Sequence, residues 1–426
     1  MSGIDRLLAI HRSFDRNDPA RLPETSFPGS ALSGAAPEEI LARLEPKLAR
    51  LGITRIANVT GLDRIGIPVV MVCRPDSRSY AVYQGKGPTL AAAKVSGIME
   101  SVERLQAERI TETGMLASLA EARERGLPIV EPGLLPHKRG RALESHESIR
   151  WIEALDVIGG APALLPCDCV HFDLTVPPAE GTGLLPNTST GLAAGEDLAT
   201  ALLHGLCEVI ERDAATLWRI FPAWRRQRSR LDPASIEDDG VRTLLGRIEA
   251  AGLQFLLWEV TSDLEIPAYL CRLVDFSEAG TSPMLALDGV GCHPDPLTAL
   301  TGAIVEAAQC RLSLISGGRD DLFPHQFRAA RPAERAAQAA LLKDGGPMRR
   351  FDGTRSAAAG DAVTDCGRIL DRLAAAGAAP VLAVDLTPPE IGIPAVRVVV
   401  PRLEDGEEMP DYVPRERALR ALWGRR

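Results

Sequence analysis

No stretch of the sequence approaches the ~18–20 uncharged apolar residues that a membrane-crossing helix needs, so no membrane span is expected. The N-terminal MSGIDRLLAIHRSFDRND breaks its short apolar patch with charges and is not a signal peptide. Basic stripes are missing too. The densest basic stretch, Arg225–Arg230, is short and isolated in a chain of net charge −9, which argues against a general nucleic-acid binder. The eight cysteines are scattered, and only Cys167 and Cys169 stand close, without the second pair of a zinc site. That usage fits a reducing cytoplasm. The seven histidines form no ligand pair at i,i+4, and no G-x-x-x-x-G-K-[ST] phosphate loop is present. What remains is an ordinary globular composition, 45% hydrophobic and 25% charged, in 426 residues that suffice for one elaborate domain or two.

What is present centres on Gln84–Arg104, QGKGPTLAAAKVSGIMESVER. A Gly85-Lys86-Gly87 turn is expected to run into a helix. At ~100° per residue, Ser96, Glu100, Glu103 and Arg104 share one face of it, while Val95, Ile98, Val102 and Leu105 share the opposite one. One such helix reads as a solvated face with local ion pairs. The pattern recurs, however. Setting Glu100, Glu208 and Glu306 in register places Ala93, Ala201 and Ala299 seven residues earlier. Gly97, Gly205 and Ala303 fall three earlier, and Glu103, Glu211 and Gln309 three later.

The flanking segments repeat as well. Residues 12–37 read as a loose Pro/Ser/Gly-rich arm, and Pro37–Leu51 as a helix closed by Gly52. Two β-rich runs around a turn follow, then a strand at Tyr80–Gln84. Trp151–Val170 gives strand, turn and strand before a helix that Gly195-Glu196-Asp197 opens. Phe255–Leu273 gives the same before a helix that Asp295 caps and Pro296 starts. A fourth, partial unit carries PEIGIPAVRVVV, echoing DRIGIPVVMV. Residues 326–364 lack a β pattern and are expected on the surface. A helix at Asp365–Ala375 and a strand at Pro380–Asp385 return to the core, and the tail is a short helix or extended arm. The expectation is a single large α/β (α+β) domain in which three equivalent helices converge. Its parts are an N-terminal arm and helix (1–50), the main domain (51–405) and a C-terminal tail (406–426).

Five clustered carboxylates, Glu100, Glu103, Glu208, Glu211 and Glu306, cost too much unless cations bind among them. Oxygen ligands without His or Cys favour Mg²⁺, which shares its coordination with phosphates, so ATP is the natural companion. Lys86, Arg104, Arg212 and Arg311 supply positive charge for phosphate oxygens. His204, standing where Ser96 stands in the first repeat, faces the same cavity or is a core histidine. Asp213 is a helix-packing ion pair or a ligand contact.

These motifs resemble those of the YcaO family: S-x3-E-x2-E-R at Ser96, Glu100, Glu103 and Arg104; GLAAG with E-x2-ERD at Gly191–Gly195 and Glu208–Asp213; and E-x2-Q-x-R at Glu306, Gln309 and Arg311. The resemblance runs from about Ile53 to about Glu404. It implies an ATP fold in which the acidic residues hold Mg²⁺ and Lys86, Ser96, Arg104, Arg212, Gln309 and Arg311 contact the nucleotide. It also implies activation of a peptide amide oxygen by ATP. The chain ends in LWGRR rather than the Pro-x-Pro-x-Pro tail of azoline-forming members, so no general base is assigned. Thr190 stands where many relatives carry asparagine. The wording around ANVTGLDRIGIPVVMVCRP and QGKG is most similar to stand-alone members that work with a TfuA partner and form thioamides. The expected partners are therefore a TfuA-like sulfur-delivery protein and a peptide or protein substrate, with a homodimer also in view. Azoline formation and a non-catalytic accessory role in ribosomal-protein methylthiolation are the alternatives.

Overall fold

A computed structural model describes residues 3–16, 35–110, 114–136, 143–175, 185, 187–277, 285–318, 331–344, 346, 348–354, 356, 358–388, 390–406 and 412–424. Most of the predicted arm lies outside these residues. Its start instead belongs to a helix that the charge-broken pattern had not signalled, α1 (Gly3–Arg16), which buries Ile4 and Leu7 in the main core. The helix expected over Pro37–Leu51 is shorter, α2 (Pro37–Leu44). Pro46 breaks it into a single 3₁₀ turn, and Gly52 follows at φ +71°.

Next come β1 (Arg55–Asn58), β2 (Val69–Cys73) and β3 (Val82–Lys86), paired antiparallel in that order, with Val70 opposite Gly85. The expected Gly-Lys-Gly turn is thus corrected: Gly85 and Lys86 finish a strand. The reason is packing against α3 (Leu90–Ala107), whose first turn Thr89 caps. A Cβ on Gly85 would stand 1.9 Å from the Ala93 carbonyl oxygen, so only glycine lets strand and helix meet. Ile98, Val102 and Leu105 are buried as the periodicity predicts, and Val95 is half-buried.

β4 (Met115–Ser118), α4 (Leu119–Glu124), β5 (Ser148–Asp156) and β6 (Pro162–Pro166) precede β7 (Leu192–Ala194) and α5 (Leu198–Ile220), which Asp197 caps. Further on lie α6 (Ala223–Gln227), β8 (Leu231–Asp232) and α7 (Asp239–Ala250). β9 (Gln254–Glu259), β10 (Ala268–Val274) and β11 (Ala286–Cys292) form another antiparallel trio, and α8 (Pro296–Ser316) follows with Asp295 and Pro296 in their predicted roles. The surface region contains α9 (Pro332–Lys343) and the short β12 (Arg349–Arg350), which pairs with β8. α10 (Ala362–Ala375), β13 (Leu382–Asp385) and β14 (Ala395–Val399) return to the core. The tail is helical, α11 (Glu416–Trp423), and packs on α5.

The sheet topology corrects the repeat assignment. In one six-stranded sheet the order is β4-β5-β13-β14-β7, with β6 on β5. The hairpin of the second unit is therefore β13–β14, the segment expected to be a fourth partial unit. The β5–β6 pair merely extends the sheet beyond it. Register identifies the units: Val70 faces Gly85, Val396 faces Ala193, and Tyr269 faces Gly291. Each unit is thus an antiparallel trio with its own helix, β1-β2-β3-α3, β13-β14-β7-α5 or β9-β10-β11-α8. Each helix also packs on the last strand of the next unit, α3 on β7, α5 on β11 and α8 on β3. The three units close into a ring.

Candidate functional site

Ring closure decides where the polar helix faces go. The position three residues after the reference glutamate reaches into the neighbouring unit. Glu103 on α3 accepts from the Ala194 N–H of β7 at 2.9 Å, and Gln309 on α8 donates to the Gln84 carbonyl of β3 at 2.9 Å. The reference glutamates hold their own strands: Glu208 accepts from the Gly191 N–H at 3.0 Å and Glu306 from the Val290 N–H at 3.3 Å. Gly191 has φ +83°, and a Cβ there would meet the Val398 carbonyl oxygen at 2.1 Å. That explains the glycine before β7.

The structure brings the five predicted carboxylates together. Burial pushes the Glu103 carboxyl well up, against the pull of its Ala194 hydrogen bond, and the charge of Glu208 adds to the rise. Burial likewise raises Glu211, helped by Glu306 and opposed by Arg212 and Lys86. Lys86 crosses from the first unit to the third, with Nζ on Glu306 Oε2. Burial works against its charge, but Glu306 and Glu211 outweigh that and raise its pKa. Arg212 lies 3.6 Å from Glu208 and 3.7 Å from Glu211, and Arg104 lies 3.9 Å from Glu100. Ser96 Oγ accepts from the Lys86 N–H at 3.3 Å.

Arg311 departs from this gathering. It is 2% exposed, and its guanidinium is committed to Asp63 at 2.8 Å and Asp275 at 2.9 Å. Its expected phosphate contact is therefore corrected to a structural ion network. Asp213 also resolves toward packing, accepting from Arg417 at 2.7 and 2.8 Å and from the Glu404 N–H at 2.9 Å. His204 on α5 keeps accessible surface, yet its imidazole is hydrogen-bonded to the backbone of Ala194, the residue whose N–H also binds Glu103, and crowding by the protein lowers its pKa against the pull of that bond and of Asp197. Thr190 leaves its Oγ1 without a partner among the described residues. A groove of about 850 Å³ on another face, bordered by Trp218, Trp224 and Arg417, contains none of the predicted site residues.

Sequence reasoning missed Arg397 on β14. Its guanidinium is buried near Glu208 and Arg104, and its Nε and Nη1 have no partner among the described residues. The signal available was the lone charge in the otherwise apolar AVRVVV.

The donor set suits Mg²⁺ in a specific way. Among the described residues, no three His, Cys, Asp or Glu side chains are placed to hold an ion by themselves. Mg²⁺ typically takes one or two carboxylates and completes its shell with phosphate and water. Carboxylates contributed by three helices, two of which (Glu103 and Glu211) burial holds above their ordinary pKa, interleaved with Lys86, Arg104 and Arg212, fit that mode.

Comparison with known proteins agrees with the geometry. Residues 84–404 match the family model described as YcaO cyclodehydratase, ATP- and Mg²⁺-binding. An uncharacterized protein in the tfuA 3' region of Rhizobium leguminosarum bv. trifolii is 35% identical over 374 residues, covering 86% of this chain and 87% of that protein. The structure of YcaO from Methanopyrus kandleri bound with AMPPCP and Mg²⁺ is similar with a TM-score of 0.68 and 24% identity, over 90% of this chain and 95% of that one. A heterocyclase in complex with substrate and cofactor gives a TM-score of 0.72 at 21% identity; the match takes in 93% of this chain but only 55% of that longer one. At these identities the two structures bear on the fold alone.

Proposed function

The chain belongs to the YcaO family and carries its ATP- and Mg²⁺-binding domain, and from that premise we propose that it converts a peptide backbone amide into a thioamide at the expense of ATP. When bound, Mg²⁺–ATP supplies a phosphoryl group to the amide oxygen as external sulfide adds to the carbonyl carbon, so that oxygen departs in phosphate and sulfur takes its place.

The chain's own residues do the positioning. Glu100, Glu103, Glu208, Glu211 and Glu306 are the carboxylates from which Mg²⁺ would draw one or two ligands at a time, with phosphate and water completing its shell. Lys86, Arg104 and Arg212 would supply positive charge to phosphate oxygens, and fixed charge in a partly buried site would stabilise the transferring group. Ser96 and Gln309 brace strand β3 through the Lys86 N–H and the Gln84 carbonyl, and so would fix the strand that carries Lys86. The observation that carries the reading is Lys86 itself: a first-unit lysine on Glu306 of the third unit, close enough to Glu211 of the second for its charge to count. All three units meet there.

Support for the thioamide product comes from the relative in the tfuA 3' region. A TfuA-like partner would deliver the sulfur. Azoline formation is the alternative reaction.

Calorimetry with Mg²⁺–ATP tests the site, and absence of binding overturns it. Mass spectrometry of a candidate peptide tests the chemistry. Replacement of oxygen by sulfur is expected, whereas loss of water would mean azoline formation. Glu100→Ala and Glu211→Ala should each reduce turnover by about 10²–10³-fold or more with circular dichroism unchanged. Undiminished turnover would remove both from the cation set.

A further inference from the structure

The densest basic stretch of the sequence, Arg225–Arg230, is isolated along the chain but not in space. It runs from α6 toward β8 and borders the groove of about 850 Å³ that lies away from the ring's carboxylates. Further arginines reach the same groove from distant segments: Arg349 of β12, Arg402 beyond β14, and Arg415, Arg417 and Arg420 at α11. Seven arginines thus line it against three carboxylates, Glu259, Asp263 and Glu416, in a chain of net charge −9.

Pairing sorts these arginines into two groups. Arg349 is met by Glu259 at 2.9 Å, Arg415 by the buried Glu404 at 3.4 Å, Arg417 by Asp213 and Asp263 at 2.7 Å each, and Arg420 by Glu416. Arg225, Arg228 and Arg402 are exposed and meet no carboxylate among the described residues. Arg225 donates to the Ala421 carbonyl at 3.0 Å and stacks on the Phe221 ring, and Arg402 donates to the Ala379 carbonyl at 3.1 Å. Arg228 lies 5.3 Å from the centre of the Trp224 ring. Carbonyls and rings orient a guanidinium without neutralising it. Apolar surface lies between these charges. Trp224 is 62% exposed, and Leu217 and Trp218 of α5 line the groove with it. An exposed Trp among arginines is the composition that anchors protein interfaces.

We propose that this groove docks an acidic stretch of the peptide substrate, its carboxylates set against Arg225, Arg228 and Arg402 and an apolar side chain against Trp224. The proposal rests on the peptide-modifying reading given above and adds to it the class of peptide. α5 joins the two places. Trp218 follows Glu211 by seven residues, about 10 Å along the helix axis, so a segment held in the groove keeps the substrate near the ring. A nucleic acid is the poorer fit. Glu259, Asp263 and Glu416 on the same walls repel a phosphate at every step, whereas a peptide can set neutral residues there.

Fluorescence anisotropy on the full chain tests the groove with a labelled peptide of alternating Glu and Leu, about ten residues long and so about 33 Å when extended. A Lys-Leu peptide and a single-stranded RNA of similar length serve as comparisons. The Glu-Leu peptide should bind, more weakly as salt rises, and the Lys-Leu peptide should not. Arg228→Glu and Arg402→Glu should each weaken binding by about tenfold, because like charge then faces the peptide, and Trp224→Ala by about as much. The same reversal on α7, Arg247→Glu, should leave binding unchanged, and Arg228→Glu should keep Mg²⁺–ATP binding in calorimetry. Absence of Glu-Leu binding, equal binding of the Lys-Leu peptide, an equal loss in Arg247→Glu, or tighter binding of the RNA overturns the proposal. So does a dimer in sedimentation that Arg228→Glu dissolves, since a second copy would then fill the groove. In the mass-spectrometric assay, excess Glu-Leu peptide should slow conversion of the substrate; an unchanged rate overturns the substrate role. Peptide binding by a chain that binds no Mg²⁺–ATP overturns the reading of the ring, and the substrate role with it, while the acidic-peptide groove stands.

Discussion

Arg311 and Arg397 are buried to nearly the same degree, 2% and 5% exposed, and both come from core elements of the ring. Their surroundings differ completely. Arg311 is met by Asp63 and Asp275, and Asp275 is itself held by Arg64 at 3.0 Å and by Ser277 through backbone and hydroxyl at 2.9 and 2.6 Å. That network is closed: donors and acceptors find one another within the protein, and α8 is bound to the turn after β1 and to the end of β10. Arg397 leaves donors open beside a cluster of carboxylates. Burial alone therefore does not separate an arginine whose charge the fold answers from one whose donors it leaves open. The separation lies in whether the fold supplies the anion.

The largest effect should come from opening the closed network. Arg311→Met leaves Asp63 and Asp275 buried without their shared cation, a change that typically costs about 3–5 kcal/mol. Urea unfolding should show a lower midpoint with an unchanged slope, and an unchanged midpoint would break the comparison. Next comes pH. Burial raises the Asp275 carboxyl, but the Ser277 hydrogen bonds, Arg311 and Arg64 together hold it below its usual value. A depressed carboxyl contributes stability that is present above its unfolded pKa of about 4 and lost as pH falls through the lower folded value. Acid unfolding of wild type should therefore include this loss, and Asp275→Asn should show a shallower acid limb at the price of lower stability near neutrality. The smallest effect is expected for Arg397→Met without ligand, within about 1 kcal/mol of wild type or slightly stabilising, because apolar replacement of a poorly paired buried charge is often neutral. A loss as large as that of Arg311→Met would show that the two arginines do the same job.

Much of the ring was legible in the sequence. Asp197, Asp295 and Pro296 marked helix starts by their capping chemistry. The common register of Glu100, Glu208 and Glu306 revealed three equivalent helices before any pairing was known. Strand partners were harder, since a hairpin pattern says that two segments pair with each other and not what they join. The β5–β6 hairpin stands directly upstream of β7 and has the right apolar pattern. The true partner, β14, lies far down the chain, and only the echo of DRIGIPVVMV in PEIGIPAVRVVV pointed to it. Arg311 could have been placed by arithmetic. Arg104 and Arg212 follow their reference glutamates by four residues, roughly 40° around the helix, whereas Arg311 follows by five, roughly 140°. Arg397 was illegible as a site residue because a strand charge declares its neighbours only once the sheet order is known.

The ring also has a consequence for the order in which the protein is made. β7 and α5 emerge from the ribosome long before β14, their strand partner and packing surface. Until residues 382–399 are synthesised, β7 has no partner strand and the apolar face of α5 no β14 to cover it, the kind of edge on which nascent chains misassociate. The first and third units can pair internally as they appear, but the second cannot. A chain arrested before β14 is therefore expected not to bind nucleotide, and the onset of binding during translation would mark the moment the ring closes.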